Sequence, residues 1–186
     1  MPMPPPPEDL SGLSLAEIAR LVAEKRLPPV EKWHPTHCGD SEMRIARDGT
    51  WFHQGSPIGR AAMVRLFSTI LRREPDGGFV LVTPAEKLNI HVEDAPFLAV
   101  ELKSEGEGEG RRLAFRLNTG DLVVAGPDHP LRFEAGPHPC VEVRKGLDAL
   151  VVRPVYYELA EIALAEGATP PGVWSGGAFF ALEQAE

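Results

Sequence analysis

Three short stretches of the chain carry residue types able to bind or transform a ligand. In Thr83-Pro-Ala-Glu-Lys87 a lysine closely follows the apolar run Phe79-Val-Leu-Val-Thr83. An ammonium placed just after a buried strand can project from the sheet edge toward a phosphate or carboxylate; a surface pair with Glu86 or Glu93 would occupy it equally well. Trp174-Ser-Gly-Gly177 sets an aromatic plane, a hydroxyl and two glycines together. The ring could stack on a base, and the glycines would let backbone N–H groups approach an anion. The alternative is a core tryptophan followed by a turn with positive φ. His34, His37, Cys38 and Asp40 lie within seven residues, yet zinc sites draw their ligands from two spaced pairs and the second pair is missing. No metal is therefore expected, and Cys38 reads as a small buried thiol. No GxGxxG or Walker pattern occurs, so neither a dinucleotide fold nor a P-loop enzyme is supported and no cofactor is expected.

The elements that must position these residues come in a repeated order. Arg47 to Thr83 runs as a turn (Arg47-Asp48-Gly49), Arg60, an amphipathic helix, Gly77-Gly78 and an apolar strand. Arg144 to Leu182 runs as a turn (Arg144-Lys145-Gly146), Arg153, a helix, Gly176-Gly177 and Ala178-Phe-Phe-Ala-Leu182. Two copies of a β-β-α-β unit imply two related lobes, and the groove between lobes is a common ligand site. The matching arginines could each hold a carboxylate across a hairpin, or Arg60 and Arg144 could converge on the groove and favour an anion there. Tyr156 and Tyr157 are adjacent on the second helix and diverge by about 100°, so one packs inward and the other faces solvent or the groove.

Ser14-Leu-Ala-Glu17 has the form of a capping box opening a first helix, with Leu15, Ile18 and Val22 at helical spacing and Leu27-Pro-Pro29 as its stop. That helix is expected to cover a lobe from outside the repeat. Asp48-Gly49 predicts a two-residue type I′ hairpin. Met63, Leu66, Phe67, Ile70 and Leu71 define one apolar face of a helix over 61–72. Residues 154–166 predict the second copy's helix. Short strands are expected at Phe79–Thr83, Leu88–Val92, Ala99–Lys103, Leu113–Leu117, Asp121–Val124, Leu131–Glu134 and Val141–Arg144, with Glu105–Gly110 a flexible, self-repelling loop. The fold class is α+β, the C-terminal lobe being a bent sheet or partial barrel with a closing helix.

The 186 residues suffice for one sizeable core or two small ones, and Asp94-Ala-Pro96 marks the boundary. The expected organisation is a proline-rich tail and helix over 1–35, an N-terminal lobe over 36–95 and a C-terminal lobe over 96–186. With 27 acidic and 19 basic residues the chain lacks the basic stripe that non-specific nucleic-acid binding needs. No apolar run approaches the length that crosses a bilayer, and the N-terminus has no signal-peptide pattern, so a cytoplasmic address and two reduced cysteines, Cys38 and Cys140, are expected.

Four stretches, Cys38-Gly-Asp-Ser-Glu-Met-Arg-Ile-Ala-Arg-Asp-Gly-Thr-Trp51, Gly55-Ser-Pro-Ile-Gly-Arg60, Leu81-Val-Thr-Pro-Ala-Glu-Lys87 with Val92-Glu-Asp-Ala-Pro-Phe97, and Gly172-Val-Trp-Ser-Gly-Gly-Ala-Phe-Phe180, resemble the bacterial family called domain of unknown function 1285. The resemblance spans roughly Pro29 to Leu182. It implies two related lobes, a C-terminal lobe superficially like a pleckstrin-homology fold, a nucleotide-like ligand at the inter-lobe groove, and a role in bacterial signal transduction or the response to oxidative stress. The family usually carries Asn where this chain has His34, which speaks against a family metal site there.

Together these readings predict a protein that binds a small anionic, nucleotide-like ligand through Lys87, Arg144, Arg60, Tyr156, Trp174 and Ser175 and reports it to a signalling protein. One rival is a hydrolase-like enzyme using the same groove with Glu86 as base, against which stands the lack of any local base–nucleophile pair. The other is a pure protein-interaction module.

Overall fold

The computed structural model describes Leu10, residues 12–133 and residues 139–182. The proline-rich stretch 1–9 and the Glu134 end of an expected strand lie outside the described residues. In chain order the elements are α1 (Leu15–Glu24), β1 (His37–Ile45), β2 (Trp51–His53), β3 (Ser56–Pro57), α2 (Ala61–Thr69), β4 (Leu71–Arg73), β5 (Phe79–Val82) and β6 (Glu86–Val92). They continue as β7 (Phe97–Glu105), β8 (Arg112–Leu117), β9 (Leu122–Val124), β10 (Leu131–Arg132), β11 (Cys140–Arg144), β12 (Leu147–Val151), α3 (Arg153–Glu166), β13 (Gly172–Ser175) and β14 (Ala178–Ala181). The architecture is α+β with two compact units, one of Arg26–Phe97 with Lys145–Leu147, the other of the remaining chain including α1. Among the described residues no helix is long and apolar enough to cross a membrane.

The N-terminal unit is built on a six-stranded sheet in the order β3-β2-β1-β6-β5-β4. β1 and β6 run parallel, with Cys38 opposite Lys87 and His37 opposite Glu86, while β5 pairs antiparallel with β6. Ile45, Trp51, Leu71, Val80, Val82 and Ile90 are buried and form its apolar core. The Asp48-Gly49 hairpin forms with a different turn from the one expected. Ala46 N–H donates to Thr50 O at 2.8 Å and Gly49 N–H to Ala46 O at 2.9 Å, and only Gly49 of the pair has positive φ, at 88°. The loop is therefore three residues long with glycine as its bulge, and the Asp48 carboxylate accepts the Thr50 N–H at 3.0 Å.

Helix α2 is shorter than its apolar periodicity predicts. It stops at Thr69, and Leu71 to Arg73 leave it to pair with Phe79 to Leu81. The cause lies outside the helix: Arg72 is 8% exposed, and its Nη1 donates to the carbonyls of Val30 and Trp33 at 2.8 Å each. Of α2 itself only Ser68 is buried.

The C-terminal unit holds a second six-stranded sheet, β10-β11-β12-β7-β8-β9, curled as a half-barrel. Leu113, Phe115, Leu117, Val123, Val141, Ala149 and Val151 are buried in this unit, as are Val155, Leu159 and Ala163 of α3 at i, i+4 and i+8. Helix α3 carries proline in its first turn and ends at Gly167 in the left-handed region (φ 68°), the asymmetry expected of helix ends. Helix α1 keeps the capping box read from the sequence: Glu17 N–H donates to Ser14 Oγ at 3.2 Å and Ser14 N–H to Glu17 Oε2 at 2.8 Å. Its Leu15 and Ile18 join Leu10 and Ala114 in one buried cluster, with Leu122 and Val124 of β9 packed against it.

After α2 the chain turns through Pro75 to Gly78 between β4 and β5, and after α3 it turns through Gly176-Gly177 between β13 and β14. Each helix is thus preceded and followed by a hairpin, where a single following strand was expected. The acidic Glu105–Gly110 segment is not a flexible loop either. Gly108–Gly110 forms a 3-10 turn, and Glu166 of α3 holds it by accepting Gly108 N–H at 3.1 Å and Arg111 Nη2 at 2.8 Å.

Candidate functional site

Lys87 and Arg60 fall in the N-terminal unit. Lys87 is the second residue of β6, a central strand flanked by β1 and β5, so it does not sit at a sheet edge. Its Nζ lies 3.9 Å from Glu74 Oε1, the oxygen that also accepts Arg72 Nη2 at 2.7 Å. Glu74 therefore faces two cations. Arg60 is the exposed N-cap residue of α2, and its side chain makes no capping bond. Glu86 has its Oε2 4.0 Å from His37 Nε2 in an exposed pair. Cys38 is exposed rather than buried, because the first residues of β1 have solvent on both faces. Asp40 spends one carboxylate oxygen on the Glu42 N–H at 2.8 Å.

Arg144, Tyr156, Trp174 and Ser175 fall in the C-terminal unit. Ser175 is fully buried, and its hydroxyl donates to Ala125 O at 2.7 Å while accepting Leu113 N–H at 2.9 Å. It fastens β13 to β8 and to the end of β9. Trp174 points to the other face of β13, half-buried, with its ring 5.3 Å from its cross-strand partner Phe179. Tyr156 is half-buried and Tyr157 is 57% exposed, the divergence expected of adjacent helical residues, with ring centroids 6.1 Å apart.

Arg144 ends β11. Burial pushes its guanidinium below the ordinary arginine range, and the Asp121 carboxylate acts in the opposite sense. Lys25, the C-cap residue of α1, donates its Nζ to Asp121 Oδ1, with side-chain exposures of 20% and 15%. The other oxygen of Asp121 accepts the hydroxyl of buried Thr119 at 2.9 Å. Asp121 is presented by the Leu117–Asp121 turn, where Gly120 N–H donates to Leu117 O at 2.8 Å with φ at 89°. Lys25 and Arg144 thus share the field of one carboxylate. Sequence reasoning singled out Arg144 but missed Lys25 and Asp121, which are 96 residues apart and carry no local motif. Among the described residues no group of three or more His, Cys, Asp or Glu side chains could hold a metal ion. Cys38 and Cys140 carry thiols rather than a disulfide.

Among curated proteins the chain has no match. It resembles two solved structures: a DUF1285 family protein from Silicibacter pomeroyi DSS-3, 45% identical over 91% of this chain and 94% of that one with a TM-score of 0.76, and a DUF1285 family protein from Shewanella baltica OS155, 25% identical over 64% of this chain and 91% of that one with a TM-score of 0.52. Residues 28–95 match "Domain of unknown function (DUF1285), N-terminal domain" and residues 96–182 match "Protein of unknown function (DUF1285), C-terminal domain". With both domains matched in order and the Silicibacter pomeroyi protein alike over nearly its full length, the chain belongs to the DUF1285 family.

Proposed function

We propose that the protein binds a small anionic, nucleotide-like ligand in the cytoplasm and passes its presence to a signalling partner, and that Arg144 and Lys25 of the C-terminal unit take the anionic end. The observation that carries this reading is the sharing of Asp121 by two cations, one of which burial already penalises. An anion joining such a cluster would be held by charge-assisted bonds to both side chains. Trp174, half-buried on the same unit, is the aromatic residue proposed to cover a base. The nucleotide-like character and the signalling role rest on the family resemblance. The hairpin–helix–hairpin order around α2 and α3 supports a duplication origin, and the curled sheet with a helix that buries one face supports a pleckstrin-homology-like reading of the C-terminal unit.

The test begins with thermal-shift screening of the full chain against a nucleotide panel and inorganic phosphate, since a ligand of the native state raises apparent stability. The best hit is then titrated calorimetrically into Arg144→Ala, Lys25→Ala and Trp174→Ala. Each charge deletion is expected to weaken binding by about ten- to a hundredfold, the equivalent of about 1.5 to 3 kcal/mol. Binding as tight as the parent's in folded Arg144→Ala and Lys25→Ala would sink this site.

A further inference from the structure

Helix α2 buries only Ser68, and Met63 and Leu66 stand 39% and 63% exposed on its outer side. Ala62, Met63 and Leu66 form one apolar stripe at i, i+1 and i+4. It is flanked by Arg60 and Arg65, and no acidic residue occurs between Gly59 and Arg73. Helix α3 has the matching deficit. Tyr157 and Leu164, at i and i+7, are 57% and 75% exposed, and Glu161 and Glu158 lie beside them. Glu158 is raised above the usual carboxylate range first by burial and then by its neighbours Glu101 and Glu161, and Arg153, exposed four residues before Tyr157, is the one cation of the helix. The α2 residues form a contiguous apolar stripe, whereas on α3 exposed Glu161 stands between the two apolar side chains, about one turn from each; exposed apolar side chains gathered on one helix face mark interaction surfaces. Their borders carry opposite net charge, Arg60 and Arg65 on α2 against Glu158, Glu161 and Arg153 on α3, in a chain whose net charge is −8.

We propose that the α2 face of one copy of the chain docks on the α3 face of a second copy, Met63 and Leu66 packing on Tyr157 and Leu164 while Arg65 faces Glu161. Such a contact is heterologous: the same chain supplies two different patches, and the assembly is a closed ring when the rotation closes and an open filament when it does not. The basic border makes the acidic α3 border a better partner than a second α2, which would bring arginine to arginine.

The test is sedimentation velocity of the full chain over a concentration series at low and high salt. The parent is expected to self-associate and to do so less at high salt, because the border charges are exposed apart from half-buried Arg65 and are screened by ions. Leu66→Asp and Leu164→Asp should each shift the protein to monomer with an unchanged thermal melt, both side chains being exposed. Arg65→Glu and Glu161→Arg should each weaken association by about tenfold or more, and the double variant, with the charges exchanged, should regain it. A parent that stays monomeric throughout overturns the proposal, as does loss of association in the α2 variants alone, which would mean an α2–α2 contact. Failure of the folded double variant to recover also overturns it.

Discussion

The Ser175 hydroxyl donates to the Ala125 carbonyl at 2.7 Å, and the same oxygen accepts the Leu113 N–H at 2.9 Å. The residue is fully buried, so this one atom bridges backbone groups of two segments that the chain separates by 50 and 62 residues. Removing it leaves a buried N–H without that acceptor, and such groups are expensive to orphan. Ser175→Ala is expected to destabilise the fold by about 1 to 3 kcal/mol, measured as a lower urea midpoint with an unchanged slope. A variant as stable as the parent would show that the bridge contributes nothing net.

Arg72 does comparable work in the N-terminal unit. Its guanidinium reaches the carbonyls of Val30 and Trp33 with one nitrogen and Glu74 with the others, at 2.7 Å for Nη2. Truncation would leave Glu74, 18% exposed in its side chain, with Lys87 at 3.9 Å as its remaining cation. Arg72→Ala should therefore cost about 3 to 5 kcal/mol. Arg72→Lys should recover only part of that, since an ammonium cannot reproduce the planar fork. Equal stability of the lysine variant and the parent, in the same denaturant titration, would refute the geometric part of the argument.

What the sequence shows of this architecture is what short-range chemistry decides. The Ser14–Glu17 capping box, the proline and glycine that bracket α3, and the alternation in β6 are all local and all realised. Helix α2 went further astray because Ile70 and Leu71 fit the helical period, while the strand that replaces its last turn is fixed by Arg72 meeting carbonyls 39 and 42 residues away. Periodicity also identified an apolar face containing Met63 and Leu66 without revealing that this part of it would lie uncovered. At the candidate site Arg144 could be picked out from its turn, whereas Lys25 and Asp121 acquire meaning only through α1 settling on β9. Ser175 was legible as a polar group beside glycines, but nothing local could say that Leu113 and Ala125 would claim its hydroxyl.

Acid should loosen the contact between α3 and the Gly108–Gly110 turn. Glu166 is held below the usual carboxylate range first by its hydrogen bonds from Arg111, then by the Gly108 N–H. A carboxylate whose folded pKa is depressed contributes stability that is fully present above its unfolded value, about 4.3, and is lost as pH falls through the folded value. The parent should therefore lose more stability than Glu166→Gln between neutrality and the acid side of that value, the two curves converging as Glu166 protonates. Parallel curves across that window would mean that the contact is not titrating.

Gly172 is required by close approach rather than by its dihedrals. A Cβ built there would lie 2.4 Å from Phe179 Cζ and 2.5 Å from the Phe180 carbonyl oxygen, and backbone cannot swing aside as a side chain can. Gly172→Ala must force β13 and β14 apart at the Gly172–Ala181 end of their pairing. A cost of about 1 to 3 kcal/mol is expected from overpacking, together with faster amide exchange at Val173 and Phe180. Unchanged exchange in that hairpin would show that the clash is relieved elsewhere.

Asp121 offers a separation of fold from function. It accepts Lys25 Nζ and the Thr119 hydroxyl and acts on Arg144 electrostatically, so it is an anion that both cations already face. An incoming phosphate or carboxylate would compete with it for the same two cations. Replacing it by the nearly isosteric amide removes that competitor and leaves the cations less compensated. Asp121→Asn should therefore lower stability by about 1 to 3 kcal/mol and yet bind the best anionic hit about three- to tenfold more tightly, a gain of about 0.7 to 1.4 kcal/mol. Opposite signs in the two measurements are what an anion site predicts. A purely structural ion pair predicts loss of stability with no gain in affinity, and that result, from calorimetry on the folded variant, would remove the proposed site from the C-terminal unit.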